Sequence, residues 1–248
     1  MKILCIIPAR YGSTRFPGKP LFVINGKTMI QRVYEQALKC DQLWKVIVAT
    51  DHETIFNHLL SVNGNVVMTS GHHKSGTERC CEVVESLEEQ GSLVDVVINI
   101  QGDEPYIDPR QIDQLIQCFD KEGTEIATLV KKISSAAELS DPNVVKAVIG
   151  EQGQVLYFSR SAIPFLRGKE QSEWFHHASY FEHIGIYGYR TSVLKSIVKL
   201  KCSPLESAES LEQLRWLENG HKIQSRETEY ESVAIDTPAD LSKITNRI

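Results

Sequence analysis

Three apolar runs, at 2–9, 44–50 and 94–100, constrain the fold of this chain most. None of them alternates strictly between apolar and polar residues, which is typical of strands buried on both faces of a parallel sheet. Segments with helical spacing separate the runs, and the clearest is 28–40, with Thr28 as a candidate N-cap. Strands that alternate with helices predict a doubly wound α/β domain with a mostly parallel sheet.

The pattern changes after about residue 124. Short strand-like runs connected by turns occur at 125–133, 144–149, 155–160 and 183–189. Segment 164–180 is irregular and aromatic-rich, which indicates a loop or lid, and helices are predicted at 191–200 and 206–219. We therefore expect one domain, with a parallel part over about 1–124 and a smaller, largely antiparallel part over about 125–248.

Composition excludes several classes of protein. The 248 residues include 42% hydrophobic and 24% charged residues, as in an ordinary soluble domain, and the net charge is −5. An acidic chain is not expected to bind nucleic acid or a membrane surface, so a local basic cluster indicates a small anionic ligand. The six cysteines lack zinc spacing, no apolar run is long enough to span a membrane, and the start of the chain is too quickly charged for a signal peptide. These features predict a cytoplasmic protein with reduced thiols.

The loop after the first strand reads PARYGSTRFPGKPL (8–21). A Walker A loop is excluded, because five residues separate its glycines and Pro20 stands where a hydroxyl would bind magnesium. Pro20 also disfavours helical backbone at Lys19. The loop carries Arg10, Arg15 and Lys19 where open α/β sheets bind ligands, and three cations with nearby amides suit a triphosphate. The alternative is a surface loop with incidental charges.

Two acidic residues follow later strands. Asp103 ends the run Ile100-Gln101-Gly102, and Asp236 follows the apolar run 232–235. A carboxylate that faces bound phosphates needs a divalent cation between them, so both acids are candidate magnesium ligands. The alternative for each is a turn or helix cap. Together with the basic loop, they predict a magnesium-assisted transfer at phosphorus.

Several blocks of sequence resemble one enzyme family. They are PARYGSTRFPGKPL, HKSGTER (73–79), NIQGDEP (99–105), LYFSR (156–160), HIGIYGYR (183–190), LEQLRWLENG (211–220) and IDTPADL (235–241). In this order they resemble the 3-deoxy-manno-octulosonate cytidylyltransferases, or CMP-Kdo synthetases, over nearly the whole chain. The HIGIYGYR and LEQLR blocks are the most specific, since the basic loop is shared with CMP-sialate synthetases.

The resemblance implies a nucleotide-diphospho-sugar transferase fold and the activation of Kdo by CTP for lipopolysaccharide biosynthesis. The implied CTP-binding residues are Arg10, Arg15, Lys19, Ser75, Gly76, Thr77, Arg79, Gln101 and Gly102. The implied sugar-binding residues are Arg160, His183, Tyr187, Glu212 and Gln213. Lys19, Asp103 and Asp236 would be catalytic, with both acids on Mg²⁺. The resemblance also implies a homodimer, with sugar binding and dimerisation in 125–248.

Alternatives remain at this stage. The same reaction on 8-amino-Kdo or sialate is one, because segment 164–180 does not match the family closely. A regulator that binds nucleotide or sugar acid without turnover is another, although the chain keeps Lys19 and both acids. A dehydrogenase lacks its glycine fingerprint here. No general base is assigned.

Overall fold

The computed structural model describes residues 1–12, 16–231, 234, 235 and 240. The strands in these residues are β1 (Ile3–Ala9), β2 (Val23–Ile24), β3 (Lys27–Thr28), β4 (Lys45–Thr50), β5 (Val66–Met68), β6 (Val96–Asn99), β7 (Ile126–Lys132), β8 (Lys146–Ile149), β9 (Val155–Ser159), β10 (Phe181–Arg190) and β11 (Ile223–Glu227). The helices are α1 (Met29–Ala37), α2 (Glu53–Ser61), α3 (Gly76–Glu89), α4 (Pro109–Gln117), α5 (Ala136–Ser140), α6 (Trp174–His177), α7 (Thr191–Ile197), α8 (Pro204–Glu209) and α9 (Glu212–Glu218).

Contacts divide the chain into two compact units. Unit 1 comprises Met1–Asp113, Tyr189–Val198 and the described residues of Glu231–Ile248, and unit 2 comprises Gln114–Gly188 and Lys199–Tyr230. The chain thus returns twice to its first unit, so the two units are not separated by a single boundary near residue 124. In the part of the chain that is described, no helix combines the length and apolar character needed to cross a membrane.

Unit 1 is built on parallel strands in the order β6-β1-β4-β5. Ala9 pairs with Thr50 and Ile6 with Asn99, so β1, β4 and β6 end at the same edge. Residues 4–7 of β1 have no exposed surface, which explains why the run does not alternate. The parallel α/β prediction is therefore confirmed. The Thr28 hydroxyl accepts the Gln31 N–H and caps α1, as predicted.

Unit 2 mixes strand directions. β8 pairs antiparallel with both β9 and β10, whereas β11 runs parallel to β7. Part of its core is formed by Ile133, Leu139, Trp174 and Tyr180. Segment 164–180, predicted as a loop, contributes Trp174 and Tyr180 to this core and includes the short helix α6.

The predicted helix 206–219 is broken in the structure. α8 ends at Glu209, the next residue Ser210 has φ +52°, and α9 begins at Glu212. The Arg160 guanidinium donates to the carbonyls of Glu209 and Ser210, so a tertiary contact satisfies the end of α8. The expectation for Lys19 was also wrong, because Lys19 opens a 3-10 turn that tolerates a proline at its start. Ala234 and Ile235, of the predicted strand 232–235, are not in a strand, while Ser232 and Val233 lie outside the described residues.

Candidate active site

The basic loop after β1 is closed at its base. The Gly18 N–H donates to the Tyr11 carbonyl at 3.1 Å. Gly18 has φ +70°, a conformation that residues with a side chain rarely adopt, so glycine is favoured. Lys19 follows at once in the 3-10 turn, and its side chain therefore starts from a defined backbone.

Lys19 and Asp103 form an ion pair. Lys19 Nζ lies 2.6 Å from Asp103 Oδ2, although the residues are 84 positions apart. The side chains retain 13% and 26% of their exposure, so both can be reached by a ligand. The sequence predicted these two groups at one edge of the sheet, and the structure brings them into direct contact. A bound phosphate could replace Asp103 as the partner of Lys19, and a bound metal ion could replace Lys19 as the partner of Asp103.

Asp236 and Arg15 lie outside the described residues, and their roles stay predictions. Ile235, directly before Asp236 in the sequence, is described. Its N–H donates to the Asp103 carbonyl at 2.9 Å, and its side chain is buried in a cluster with Met29. The chain is therefore anchored beside Asp103 at the residue before the second predicted acid.

A polar cleft of about 160 Å³ lies at the carboxyl ends of the strands of unit 1. It is lined by Pro8, Ala9, Arg10, His73, Lys74, Ser75, Gly76, Arg79 and Gln101. Five residues predicted to bind nucleotide are among them: Arg10, Ser75, Gly76, Arg79 and Gln101. The structure thus brings together three segments that are far apart in the sequence, and the Arg10 and Lys74 side chains are exposed there.

The start of α3 forms one wall of the cleft. Ser75 caps the helix by accepting the Glu78 N–H at 3.3 Å, and the Lys74 N–H donates to Glu78 Oε2 at 2.7 Å. Gly76 packs tightly, because a Cβ there would lie 3.0 Å from Pro8 Cγ. The N-terminus of a helix of this length attracts anions through its dipole and its unpaired N–H groups. Thr77 follows and is buried.

Arg79 is 4% exposed and occupied by protein groups. Its Nη2 lies 2.8 Å from Asp51 Oδ2, and its Nη1 donates to Thr69 Oγ1 and to the Ser70 carbonyl. A buried guanidinium with a carboxylate partner holds α3 against the end of β4. Arg79 lines the cleft from this fixed position, and its contact with nucleotide stays a prediction.

Sequence reasoning missed His73 and Asp51. His73 contacts the Glu82 carboxylate through Nε2 and lies 3.7 Å from Glu78 through Nδ1. Burial raises the pKa of Glu82, but the hydrogen bonds from His73 and from the Ser70 N–H outweigh it and leave this pKa lowered. His73 lies within the HKSGTER block, and Asp51 directly follows β4. The strand-end rule that identified Asp103 would also have identified Asp51.

Gly102 allows two chain segments to approach closely. A Cβ on it would lie 3.0 Å from the Pro8 carbonyl oxygen and 3.4 Å from Ile30 Cδ1. The Glu104 N–H donates to the Gln101 carbonyl and forms the turn that presents Asp103. A side chain at 102 would push this turn away from β1.

In unit 2, His183 lies on β10 between aromatic rings. Its ring centroid is 5.0 Å from that of Phe158 and 5.2 Å from that of Tyr187. Desolvation by burial lowers the pKa of His183 to about 3, so the imidazole is neutral. Nε2 lies 3.0 Å from Thr128 Oγ1, which is 2.9 Å from the Ile186 carbonyl. Both contacts are satisfied when the hydroxyl donates to the carbonyl and Nε2–H donates to the hydroxyl, which leaves Nδ1 as an acceptor.

Tyr187 is 7% exposed and packs edge-on against Trp216 of α9, with centroids 5.1 Å apart. Burial, with a smaller effect of Glu212, raises the pKa of Tyr187 well above its usual value. Gln213 is buried on the same helix, and Glu212 lies 3.8 Å from Arg215. Four of the five predicted sugar-binding residues therefore lie on β10 and α9.

Arg160, the fifth predicted sugar-binding residue, is bound to main-chain carbonyls. Besides Glu209 and Ser210, its guanidinium donates to Pro142 at 3.0 Å. Sequence reasoning missed Lys146 nearby, which is fully buried and donates to the carbonyls of Asp141 and Val144. Desolvation lowers the pKa of Lys146. These two cations fix the surrounding loops, and the contact of Arg160 with a sugar carboxylate stays a prediction.

Known proteins resemble this chain over most of its length. A family model described as cytidylyltransferase matches residues 4–223. A relative from Parabacteroides distasonis, named 3-deoxy-manno-octulosonate cytidylyltransferase, is 52% identical over 98% of this chain and 96% of its own. A relative of the same name from Bacteroides thetaiotaomicron is 51% identical over 97% of this chain and 96% of its own.

A solved structure gives the same result. It is described as CMP:2-keto-3-deoxy-manno-octonic acid synthetase complexed with CTP, and it is 42% identical to this chain. The TM-score is 0.91, with 100% of this chain and 98% of that chain covered. The similarity therefore extends over both units and confirms the resemblance and the fold class predicted from the sequence.

Proposed function

Since the chain belongs to the 3-deoxy-manno-octulosonate cytidylyltransferase family, we propose that it transfers the cytidylyl group of CTP to Kdo and releases pyrophosphate. The observation that carries the proposal is the Lys19–Asp103 ion pair beside the polar cleft of unit 1. A cation for phosphate and a carboxylate for a metal ion stand together there, which is what transfer at phosphorus requires.

Unit 1 binds CTP in this proposal. Arg10, Arg15 and Lys19 neutralise the triphosphate. The start of α3, with Ser75, Gly76 and Thr77, supplies N–H and hydroxyl donors, and Gln101 and Gly102 provide a side-chain amide and a close main-chain approach. Arg79, whose charge is offset by Asp51, lines the same cleft. The other groups each favour a ligand with several negative charges.

Magnesium is the proposed cofactor. Among the described residues, no group of three His, Cys, Asp or Glu side chains could hold a metal ion by itself. The partly exposed carboxylate of Asp103 suits Mg²⁺ nevertheless, because this ion is commonly held by one or two carboxylates together with substrate phosphates. Asp103 and Asp236 would hold it, and it would offset the charge of the phosphates.

Unit 2 recognises the sugar acid. His183 offers Nδ1 as a neutral acceptor for a sugar hydroxyl, and Tyr187, Gln213 and Glu212 add polar groups on the neighbouring elements. Arg160 is the proposed partner of the sugar carboxylate. With a pKa of about 3, His183 takes up a proton poorly at neutral pH, so it binds the sugar rather than acting as a general base.

The reaction forms one bond and breaks one. The oxygen of the sugar's anomeric hydroxyl attacks the α-phosphorus of CTP, and the bond from that phosphorus to the oxygen bridging to the β-phosphorus breaks. Pyrophosphate leaves with this electron pair, and the hydroxyl proton goes to solvent. Lys19 stabilises charge on the phosphates, and the protein's main contribution is alignment of the two substrates.

A pyrophosphate-release assay tests the proposal. CTP and Mg²⁺ are supplied with Kdo, 8-amino-Kdo or sialate in parallel reactions. Release with Kdo at a higher kcat/KM than with the other two supports the proposal. A preference for 8-amino-Kdo or sialate would change the sugar but keep the chemistry, and CTP binding without release from any sugar would indicate a regulator.

We also propose that the protein is a cytoplasmic homodimer. The family resemblance supports the dimer, and the six free thiols suit a reducing compartment. Sedimentation velocity of the purified protein tests the dimer, and fractionation of the producing cells tests the location.

A further inference from the structure

His52 has a fixed position at the end of β4. Its N–H donates to Thr50 Oγ1 at 3.3 Å, and its Nδ1 accepts the Thr54 N–H at 3.3 Å as the N-cap of α2. Thr50 is fully buried in the sheet. The imidazole is therefore held by a strand and by a helix.

The Tyr11 ring stacks on this imidazole. The ring centroids are 4.0 Å apart and the planes are inclined by 14°. Tyr11 is 37% exposed, so the phenol is placed by this stack more than by burial. The same ring lies next to Gly18, since a Cβ added to Gly18 would be 3.4 Å from it. The Tyr11 carbonyl also accepts the Gly18 N–H.

These contacts connect β4 to the proposed phosphate-binding lysine. Gly18 precedes the 3-10 turn that begins at Lys19, and Lys19 reaches Asp103. We propose that Tyr11 and His52 are positioning residues for CTP binding: their ring stack holds the Gly18–Lys19 segment where Lys19 can meet the triphosphate. This inference rests on the proposed function and assigns the two rings no part in the chemistry.

Four variants separate positioning from stability. Tyr11→Ala and His52→Asn each remove one ring, and asparagine can keep the cap of α2. We expect each to raise the Kd for CTP by about 3- to 10-fold, the range that one aromatic pair supplies, with kcat changed less than KM. Tyr11→Phe and His52→Phe keep a ring, and we expect each to retain the CTP affinity of wild type. His52→Phe also loses the cap of α2, so its Tm should be lower.

A double variant and a distant aromatic residue provide the controls. Because both rings act through one contact, Tyr11→Ala with His52→Asn is expected to raise the Kd no further than either change alone. Trp44→Ala removes a half-exposed aromatic residue from the other end of β4 and is expected to leave the Kd for CTP unchanged. Additive effects of the two ring deletions would overturn the inference, as would a Kd within 2-fold of wild type in both single variants.

The measurements distinguish this inference from the proposed function. Calorimetric titration with CTP and Mg²⁺ reports binding without turnover. A wild-type protein that binds no CTP contradicts the proposed function itself. A wild-type protein that binds CTP and releases pyrophosphate, with variants that bind CTP equally well, contradicts only the role of the stack.

Discussion

In unit 1 several candidate site residues carry charges near the ends of parallel strands, whereas in unit 2 His183 and Tyr187 are packed among aromatic rings. Lys19 pairs with Asp103 and Arg79 with Asp51 in the first unit. In the second, burial lowers the pKa of His183 to about 3 and raises that of Tyr187, so the uncharged form of each side chain is favoured. The difference agrees with the proposal that unit 1 binds a triphosphate and unit 2 binds a hydroxyl-rich sugar.

The affinities for CTP and for the sugar should respond differently to salt. Attraction between exposed charges falls as salt screens them, whereas hydrogen bonds between neutral buried groups depend on salt much less. CTP affinity should therefore weaken with rising ionic strength more than the affinity for the sugar does. Variants of single residues make the same comparison in each unit separately.

Asp103→Asn removes a negative charge from the candidate site of unit 1 and has the largest expected effect on activity. We expect kcat/KM to fall by about 10²- to 10³-fold, because the proposed magnesium ligand is lost. CTP binding in EDTA should be unchanged or tighter, since a carboxylate that repels phosphate is gone. Pyrophosphate release and calorimetry check the two parts.

The matched control is Asp108→Asn, five positions along the same segment. Asp108 has its own basic partner, Arg110, at 2.6 Å, so a charge and an ion pair are lost there as well. Its kcat/KM should stay within about 2-fold of wild type, as for a surface pair. If Asp103→Asn also stays in that range, Asp103 is not a metal ligand.

The parallel fold and the charged site were predictable from the sequence for one reason. Parallel strands end at a common edge, so residues directly after each strand, such as Arg10 and Asp103, are near one another whatever the remaining contacts are. The break at Ser210 was not predictable from helical spacing, because the carbonyls at the end of α8 are bound by Arg160, 50 residues away from Ser210. The state of His183 was not predictable either, since its burial depends on tertiary packing that includes Phe158 of β9.

His183→Gln removes the neutral imidazole from unit 2. The folded pKa of about 3 lies below the unfolded value of about 6.5, so the unfolded state takes up a proton that the folded state does not. Wild-type stability should therefore fall by up to about 1.4 kcal/mol per pH unit below pH 6.5 on account of this residue, or about 2 kcal/mol by pH 5. The variant lacks this contribution, and urea unfolding from pH 7.5 to 5 measures the difference.

The control for this change is His221→Gln in the same unit. His221 lies 3.3 Å from Glu125, and its replacement removes an imidazole while leaving the contacts of His183 with Phe158 and Tyr187 in place. At pH 7.5, His183→Gln should be less stable than wild type by about 1 kcal/mol, because the contact with Thr128 is altered. The stability curves of the variant and wild type should then cross at about pH 6, which leaves the variant about 1 kcal/mol more stable at pH 5. Parallel curves would contradict the assignment of a neutral, desolvated imidazole.

Gly102→Ala tests whether the position of the main chain in unit 1 matters as well as the charge of its side chains. The new Cβ would lie 3.0 Å from the Pro8 carbonyl oxygen, and β1 cannot shift without disturbing its pairing with β4 and β6. We expect a loss of about 1 kcal/mol of stability and a fall in kcat/KM for CTP of a few fold, because the turn that carries Asp103 is displaced. Gly71→Ala, with no atom within 4 Å of the added carbon, is the control and should change neither quantity. If Gly102→Ala behaves like this control, the site tolerates movement of Asp103, and charge alone rather than position would account for binding in unit 1.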